Sequence, residues 1–410
     1  MNKQEHSLLQ ALQQLPTIRK QAQQLLQLAT EDKLKHFAVD MQKMPATAKF
    51  VLDVIYEQYP NLDIPYHSRW RHFEAGKVNR LQGIQDKIAA LSAQERGKIL
   101  YELVIISVLL DAGAGPHWQY HEANTGLTLS RSEGLAVASL QLYQSGLFSN
   151  DPYQPLRVDS ERLLAFSPAD LRYGFQVTAT NPLEGVEGRV QLLNRLGATI
   201  REKTHYFGNE GRLGDFYAYI MSLQAGKSIQ GAQIFAAVLP GFADVWPERL
   251  RFNGVSLGDV WQHQALKTAA PGSEYIPFHK LSQWLTYSLI EPLEQCGVRV
   301  TQLDELTGLP EYRNGGLLID SGLLRVKNNE ICQQPQNPGS ECIVEWRGLT
   351  VALLDEIAKA IRLQLGMTAA DLPLAKILQG GTWEAGRRIA KQQRREGTPP
   401  LQIISDGTIF

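Results

Sequence analysis

Residues 275–292, YIPFHKLSQWLTYSLIEP, and, after a short connector, residues 306–316, LTGLPEYRNGG, carry the pattern around which the rest of the chain is read. In the first piece Phe278, Leu281, Trp284, Leu285 and Leu289 recur near helical spacing, which predicts one amphipathic helix. Lys280 and Gln283 stand at its start and Pro292 closes it. The second piece sets a carboxylate, a phenol and a guanidinium in succession, Glu311, Tyr312 and Arg313. Asn314-Gly315-Gly316 then predicts a sharp turn. Two readings are open: a polar centre inside an apolar region, or an ion pair that closes a loop. The local pattern favours the ion pair, because structural pairs produce such clusters too.

The chain has 410 residues, long enough for one large domain or two lobes. Its 43% hydrophobic and 20% charged residues are those of a soluble globular protein. With 41 basic and 42 acidic residues the net charge is −1, which excludes the basic balance of a nucleic-acid or membrane-surface binder. Cys296, Cys332 and Cys342 show no metal-ligand spacing and suit a reducing cytoplasm. The N-terminus is polar and Gln-rich, unlike a signal peptide. The longest apolar run, LVIISVLLDAGAG (103–115), is too short to span a bilayer.

Residues 5–30 predict two helices around Pro16, in an N-terminal arm (1–45) ahead of a large, mainly helical domain (46–410) of one or two lobes. IPYHSRWRHFEAG (64–76) is aperiodic and gathers His67, Arg69, Trp70, Arg71 and His72. Long cations beside an indole bind phosphate or carboxylate groups; a surface loop with snorkelling arginines is the equal alternative. Residues 93–111 predict an apolar helix ending at Asp111, and the following Gly-Ala-Gly predicts a close-packed turn. HWQYHE (117–122) spaces His117 and His121 as metal ligands only if helical; without HExxH a structural role is favoured. Ser132 is read as a helix cap with Glu133 in the first turn. A helix after Pro182 ending at Gly197, short elements through 241–263, a hairpin in 315–328, a segment from 340 that begins extended and becomes helical, and an extended tail at 401–410 complete the expectation of mostly helix with a few short strands.

No dinucleotide or P-loop motif, no Gly-x-Ser-x-Gly elbow and no phosphoribosyl-diphosphate loop is present; LQGGTWEAGR (378–387) and ISDGTIF (404–410) echo the last only faintly.

Seven stretches in order, IPYHSRWRHF, VLLDAGAG, RSEGLAVAS, PFHKLSQWLTYSL, LTGLPEYRNGG, LQGGTWEAGR and ISDGTIF, resemble the uracil-catabolism family of fungi and bacteria (the Urc-four/Urg-three type, a domain of unknown function) over nearly the whole chain. That family is linked to a route that opens the uridine-nucleotide ring and passes through a ribosylurea. A second resemblance is to queuosine-salvage N-glycosidases, helical relatives of DNA glycosylases. Their Lys-Arg-Ala-Gln helix, Leu-Thr-x-Phe-Ala-Asp-Tyr-Arg and Gly-Ser-x-x-Glu-Val-Glu-Ile-Arg-Ala are similar, in the same order, to HKLSQWL, LTGLPEYR and GSECIVEWRGLTVALLDEIA here. The Lys falls on Lys280, the Asp position on Glu311 with Tyr312 and Arg313 following, and Glu-x-Arg on Glu345 and Arg347. Glu for Asp adds a methylene, about 1.5 Å of reach.

The resemblance implies a mainly α, multi-helical DNA-glycosylase-like or queuosine-salvage-like fold with a few short strands. It also implies an N-glycoside hydrolase of uracil catabolism that cleaves ribosylurea or its 5′-phosphate. Glu311 would stabilise the sugar cation and Arg313 would hold it; Asp111, Glu133 or a histidine of the 67–72 cluster would serve the leaving group. Lys280 with Arg69 or Arg71 would bind a phosphate, and Trp70, Trp118 and Trp284 would wall the site. No cofactor or metal is expected, the partner is a ribosyl or uridine-derived small molecule, and a homodimer stays open. The alternatives are a uracil phosphoribosyltransferase and a non-catalytic helical scaffold.

Overall fold

The computed structural model describes residues 3–404, more than half of them in helices; strands occur only as two-stranded pairs. The mainly α class is therefore as expected. None of the described helices is long and apolar enough to cross a membrane. The chain divides into two units. The first comprises the described residues up to His67, Glu248–Gln283 and Gln302–Ile404; the second comprises Ser68–Pro247 and Trp284–Thr301.

In the first unit the helix Glu341–Leu365 is buried along most of its length. The N-terminal helix Leu15–Thr30 packs on it, where Gly348 leaves room for Leu25 and Ile276. Pro16 sits in the first turn of that helix, the position where a missing N–H costs nothing. The N-terminal segment is thus part of this unit's core. Arg19 donates to Asp355 and to the carbonyls of Asp304, Glu305 and Leu306, fastening the helix to the approach to Glu311.

Several local expectations change. Residues 275–292 are not one helix. Tyr275–Pro277 is a strand paired antiparallel with Val260–Gln262, the helix runs Lys280–Ser288, and Pro292 lies in the first turn of a further helix, Ile290–Gln295. Between strand and helix His279 takes φ +46°. Asn314, Gly315 and Gly316 lie within the helix Tyr312–Asp320 instead of making a turn. Gly315 is required by close approach: a Cβ there would stand 2.6 Å from the Trp346 indole. Residues 315–328 form no hairpin, because Leu324–Val326 pairs antiparallel with Phe37–Val39. The segment after Ser340 is helical from Glu341 onward. Of the tail, Ile403 bridges to Gln336 as an extended segment; the ISDGTIF motif from residue 405 lies outside the described residues.

In the second unit the helix Ala93–Leu109 is enclosed on nearly all sides and packs against Arg131–Gln144 and Asp215–Ser222. The helix Val186–Glu202 runs through Gly197, which abuts the Ser160 carbonyl. His121 lies on an antiparallel hairpin, Gln119–Glu122 with Leu127–Ser130, so His117 and His121 do not share a helical face. No group of three metal-ligating side chains occurs among the described residues.

Gly386 packs its helix, Trp383–Gln393, against the Arg313 carbonyl oxygen, where a methyl group has no space. Gly386→Ala is expected to lower stability by about 2 kcal/mol, the scale of overpacking, read from urea unfolding. His279 is buried and its Nε2 donates to the Leu12 carbonyl at 2.9 Å. Burial holds its pKa below the usual 6.5, so the unfolded chain binds the proton more readily and stability falls as pH drops below about 6.5. His279→Asn, which tolerates a left-handed backbone, should flatten the pH dependence of the urea midpoint between pH 5 and 8.

Candidate functional site

Two polar centres stand out, one in each unit.

The first is built around Glu311. Gln283, fully buried, accepts the Thr307 N–H at 2.9 Å and donates to Thr307 Oγ1 at 2.7 Å. The two conspicuous sequence pieces are thereby joined side chain to backbone. Glu311 caps the helix Tyr312–Asp320: Oε2 accepts the Arg313 N–H at 2.8 Å and Oε1 the Asn314 N–H at 2.7 Å. Asn314 donates to the Leu309 carbonyl at 3.1 Å and accepts from Thr382 Oγ1 at 2.9 Å. Thr382 ends a π-helical turn, Leu378–Thr382, and such turns recur at functional sites. Within it Gln379 Oε1 lies 3.1 Å from His67 Nδ1. Gly380 and Gly381 let the turn press against Val51, Ile55 and Ile64.

Burial raises the Glu311 carboxyl above its usual 4.5; the two backbone N–H bonds, then Lys280 and Arg313, act the other way. The expected ion pair takes a different form. The Arg313 backbone N–H, not its guanidinium, bonds Glu311. The guanidinium donates to the Gly397 carbonyl at 2.9 Å and lies 5.0 Å from the Tyr312 ring centroid. It reaches the carboxylate only through its field.

Glu345 and Arg347, two apart on a helix, serve different partners. Glu345 is fully buried and accepts from the His36 and Phe37 backbone N–H groups and from His263 Nε2. His263 Nδ1 accepts the Ala265 N–H, which leaves the proton on Nε2. Arg347 forks onto Asp259, both contacts 2.8 Å, and stacks 4.1 Å over Phe278. Asp259 also accepts the Lys280 backbone N–H at 2.9 Å and the Trp261 indole N–H at 2.7 Å. Burial opposes this charge, but Arg347 and these donors hold the carboxyl well below its normal range. Asp259 and His263 escaped the sequence reading. Their signal was the acid, indole and imidazole of GDVWQH (258–263).

The second centre lies at the short helix Arg69–His72. Arg69 is fully enclosed. Its Nε donates to Ser107 Oγ at 2.8 Å, and Nη1 reaches Asp111 Oδ1 at 2.7 Å, the Ser132 carbonyl at 3.0 Å and Ser132 Oγ at 2.9 Å. Ser132 does not cap its helix, a place held by Ser130; its hydroxyl donates to Asp111 Oδ1 at 2.5 Å. His72 Nδ1 lies 3.1 Å from both Arg69 Nη1 and Ser132 Oγ. Its ring is 5.8 Å from that of Trp284. Burial lowers the Arg69 pKa, against the pull of Asp111 and then Glu133. Arg71 is engaged by Glu291 at 2.7 Å and Glu74 at 2.8 Å; Ser68 donates to the other Glu291 oxygen. Trp118 donates to the Phe175 carbonyl within the core, and Trp70 is buried edge-on to Phe73.

The first centre thus gathers Glu311, Tyr312, Arg313 and Lys280, and the second Arg69, His72, Asp111, Ser132, Glu133 and Trp284. Trp70 and Trp118 are packing residues of the second unit.

Residues 11–410 match the family model described as a protein of unknown function, DUF1688. The protein urg3 of Schizosaccharomyces pombe is 39% identical over 404 residues, 97% of each chain. Uracil catabolism protein 4 of Lachancea kluyveri is 36% identical over 408 residues, 92% of each. By the span of the family match and the level of these identities, this chain belongs to the DUF1688 family.

Proposed function

We propose that this protein is an N-ribosyl hydrolase of uracil catabolism that splits ribosylurea, or its 5′-phosphate, into urea and ribose or ribose phosphate. The name of the Lachancea kluyveri relative supplies the metabolic setting. The observation that carries the chemistry is Glu311, a partly buried carboxylate held by two backbone N–H groups, with the Lys280 charge acting on it.

Breaking the bond between C1′ and the ureido nitrogen leaves the electron pair on urea and positive charge across C1′ and the ring oxygen. A carboxylate fixed in advance stabilises that charge without having to reorient. Each Glu311 oxygen spends one lone pair on the helix and keeps another. Water adds to C1′; one of its protons is lost and one is gained by the departing urea nitrogen, so the sum is ribosylurea plus water giving ribose plus urea. Arg313, bound to Gly397, and the Asn314–Thr382 bond keep the capping turn rigid.

Glu311→Gln keeps one acceptor for the cap and removes the charge. It should lower the rate of urea release from ribosylurea phosphate by about a hundredfold or more while the thermal midpoint moves by a few degrees. A folded variant with wild-type rate excludes Glu311 as the catalyst, and absence of urea release by the unaltered protein from either form of ribosylurea removes the hydrolase reading. Because burial holds the Glu311 carboxyl above 4.5, the acidic limb of the rate profile should lie above that pH. Lys280 opposes the rise, so Lys280→Met should move the limb to still higher pH; an unmoved limb disconnects the lysine from the reacting carboxylate.

A further inference from the structure

We propose that the Asp111 centre of the second unit receives an uncharged hydrogen-bond donor, a sugar hydroxyl or a ureido N–H, and does not receive phosphate. The inference rests on that unit alone and does not need Glu311 to be catalytic.

The arginines of IPYHSRWRHF have the look of an anion site in sequence, but Arg69 is enclosed and the terminal nitrogens of Arg71 already face carboxylates. Arg69 has no exposed side-chain surface: its Nε and Nη1 are engaged by Ser107, Asp111 and Ser132, and its Nη2, without a hydrogen-bond partner among the described residues, is closed off from solvent. Arg71 gives Nη2 to Glu291 and Nη1 to Glu74, and its Nε is buried without a hydrogen-bond partner among the described residues. The Asp111 carboxylate reaches solvent, its side chain keeping 10% of its exposure, beside the partly exposed His72, Ser132 and Glu133. Its Oδ1 takes both the Arg69 contact and the Ser132 hydroxyl. Its Oδ2 has no hydrogen-bond partner among the described residues. A carboxylate oxygen accepts and cannot donate, and it repels a phosphate that comes close.

The carboxylate is also held in place from behind. Arg189, fully buried, donates to the carbonyls of Leu110, Ala112, Gly113 and Glu184, and so grips the chain on both sides of Asp111. Burial pulls this guanidinium down to about 10, and Asp111 is the first carboxylate to oppose the shift. Four carbonyls and one nearby carboxylate absorb a charge that would otherwise be stranded. Arg131, just before Ser132, takes φ +55°, a strained backbone of the kind retained where surrounding structure imposes it. Facing Arg69, which can only donate, His72 Nδ1 is an acceptor. The His72 ring stands 5.8 Å from Trp284, and an aromatic wall beside a carboxylate suits the C–H face of a sugar or a flat ureido plane.

The test is saturation-transfer NMR on the full chain with D-ribose and with methylurea as separate probes, each challenged by inorganic phosphate, on the wild type, Asp111→Asn and Glu311→Gln. The expected result is binding of at least one probe that phosphate does not displace, that weakens about tenfold or more in Asp111→Asn, and that persists in Glu311→Gln. Binding of ribose alone assigns the donor to a sugar, and of methylurea alone to a ureido group. Displacement by phosphate, no binding of either probe, or unchanged binding in a folded Asp111→Asn overturns the proposal. If that variant does not fold, the wild-type phosphate challenge decides. Absence of urea release with these binding results intact removes the hydrolase reading and leaves the Asp111 receptor standing.

Discussion

The fork between Arg347 and Asp259 is the constraint on which the first unit depends. It ties the long helix Glu341–Leu365 to the start of the helix Lys280–Ser288, because Asp259 also takes the Lys280 backbone N–H. A buried pair of this kind contributes little net energy against a well-packed apolar alternative, but removal of one partner strands the other charge. Its value is positional. It fixes where Lys280 begins its helix, and three residues later Gln283 fixes Thr307 and with it the approach to Glu311.

The same economy recurs in the second unit. Arg80 forks onto Glu122 at 2.7 Å and donates to the carbonyls of Phe73 and Ala75. Arg212 bridges Glu95 and the fully buried Glu102. Arg189 holds carbonyls alone. The planar, always-charged guanidinium suits this work because its five donors can satisfy several acceptors at once. A cation count therefore says little about the ligands of this protein, since these arginines are consumed by internal acceptors.

Periodicity made the helical class legible, and the motif order made the family legible. The two stretches 275–292 and 306–316 do meet, through Gln283 and Thr307, but their internal geometry was not readable. Gly315 and Gly316 read as a turn because glycine breaks helices in isolation; here Gly315 admits Trp346, a tertiary reason that no local pattern carries. The strand Leu324–Val326 looked like half of a hairpin, whereas its partner Phe37–Val39 is nearly three hundred positions away. Asp259 and His263 were missed for a similar cause: each gains meaning only from the residues that face it, Arg347 and Glu345. Glu311 was legible as a polar centre, but its grip by the backbone of Arg313 and Asn314 required coordinates.

The widened turn Leu378–Thr382 sets the rotational phase of the helix Trp383–Gln393. One residue more per turn than an ordinary helix rotates every later side chain by roughly 100° about the axis. Trimming a single residue from LQGGT would let the coil relax to regular winding and swing Thr382 off Asn314. The same slip would carry Gly386 away from the Arg313 carbonyl and bring a side chain round to meet it. The length of this short stretch, as much as its composition, thus sets which face the last helix offers to the turn that holds Glu311.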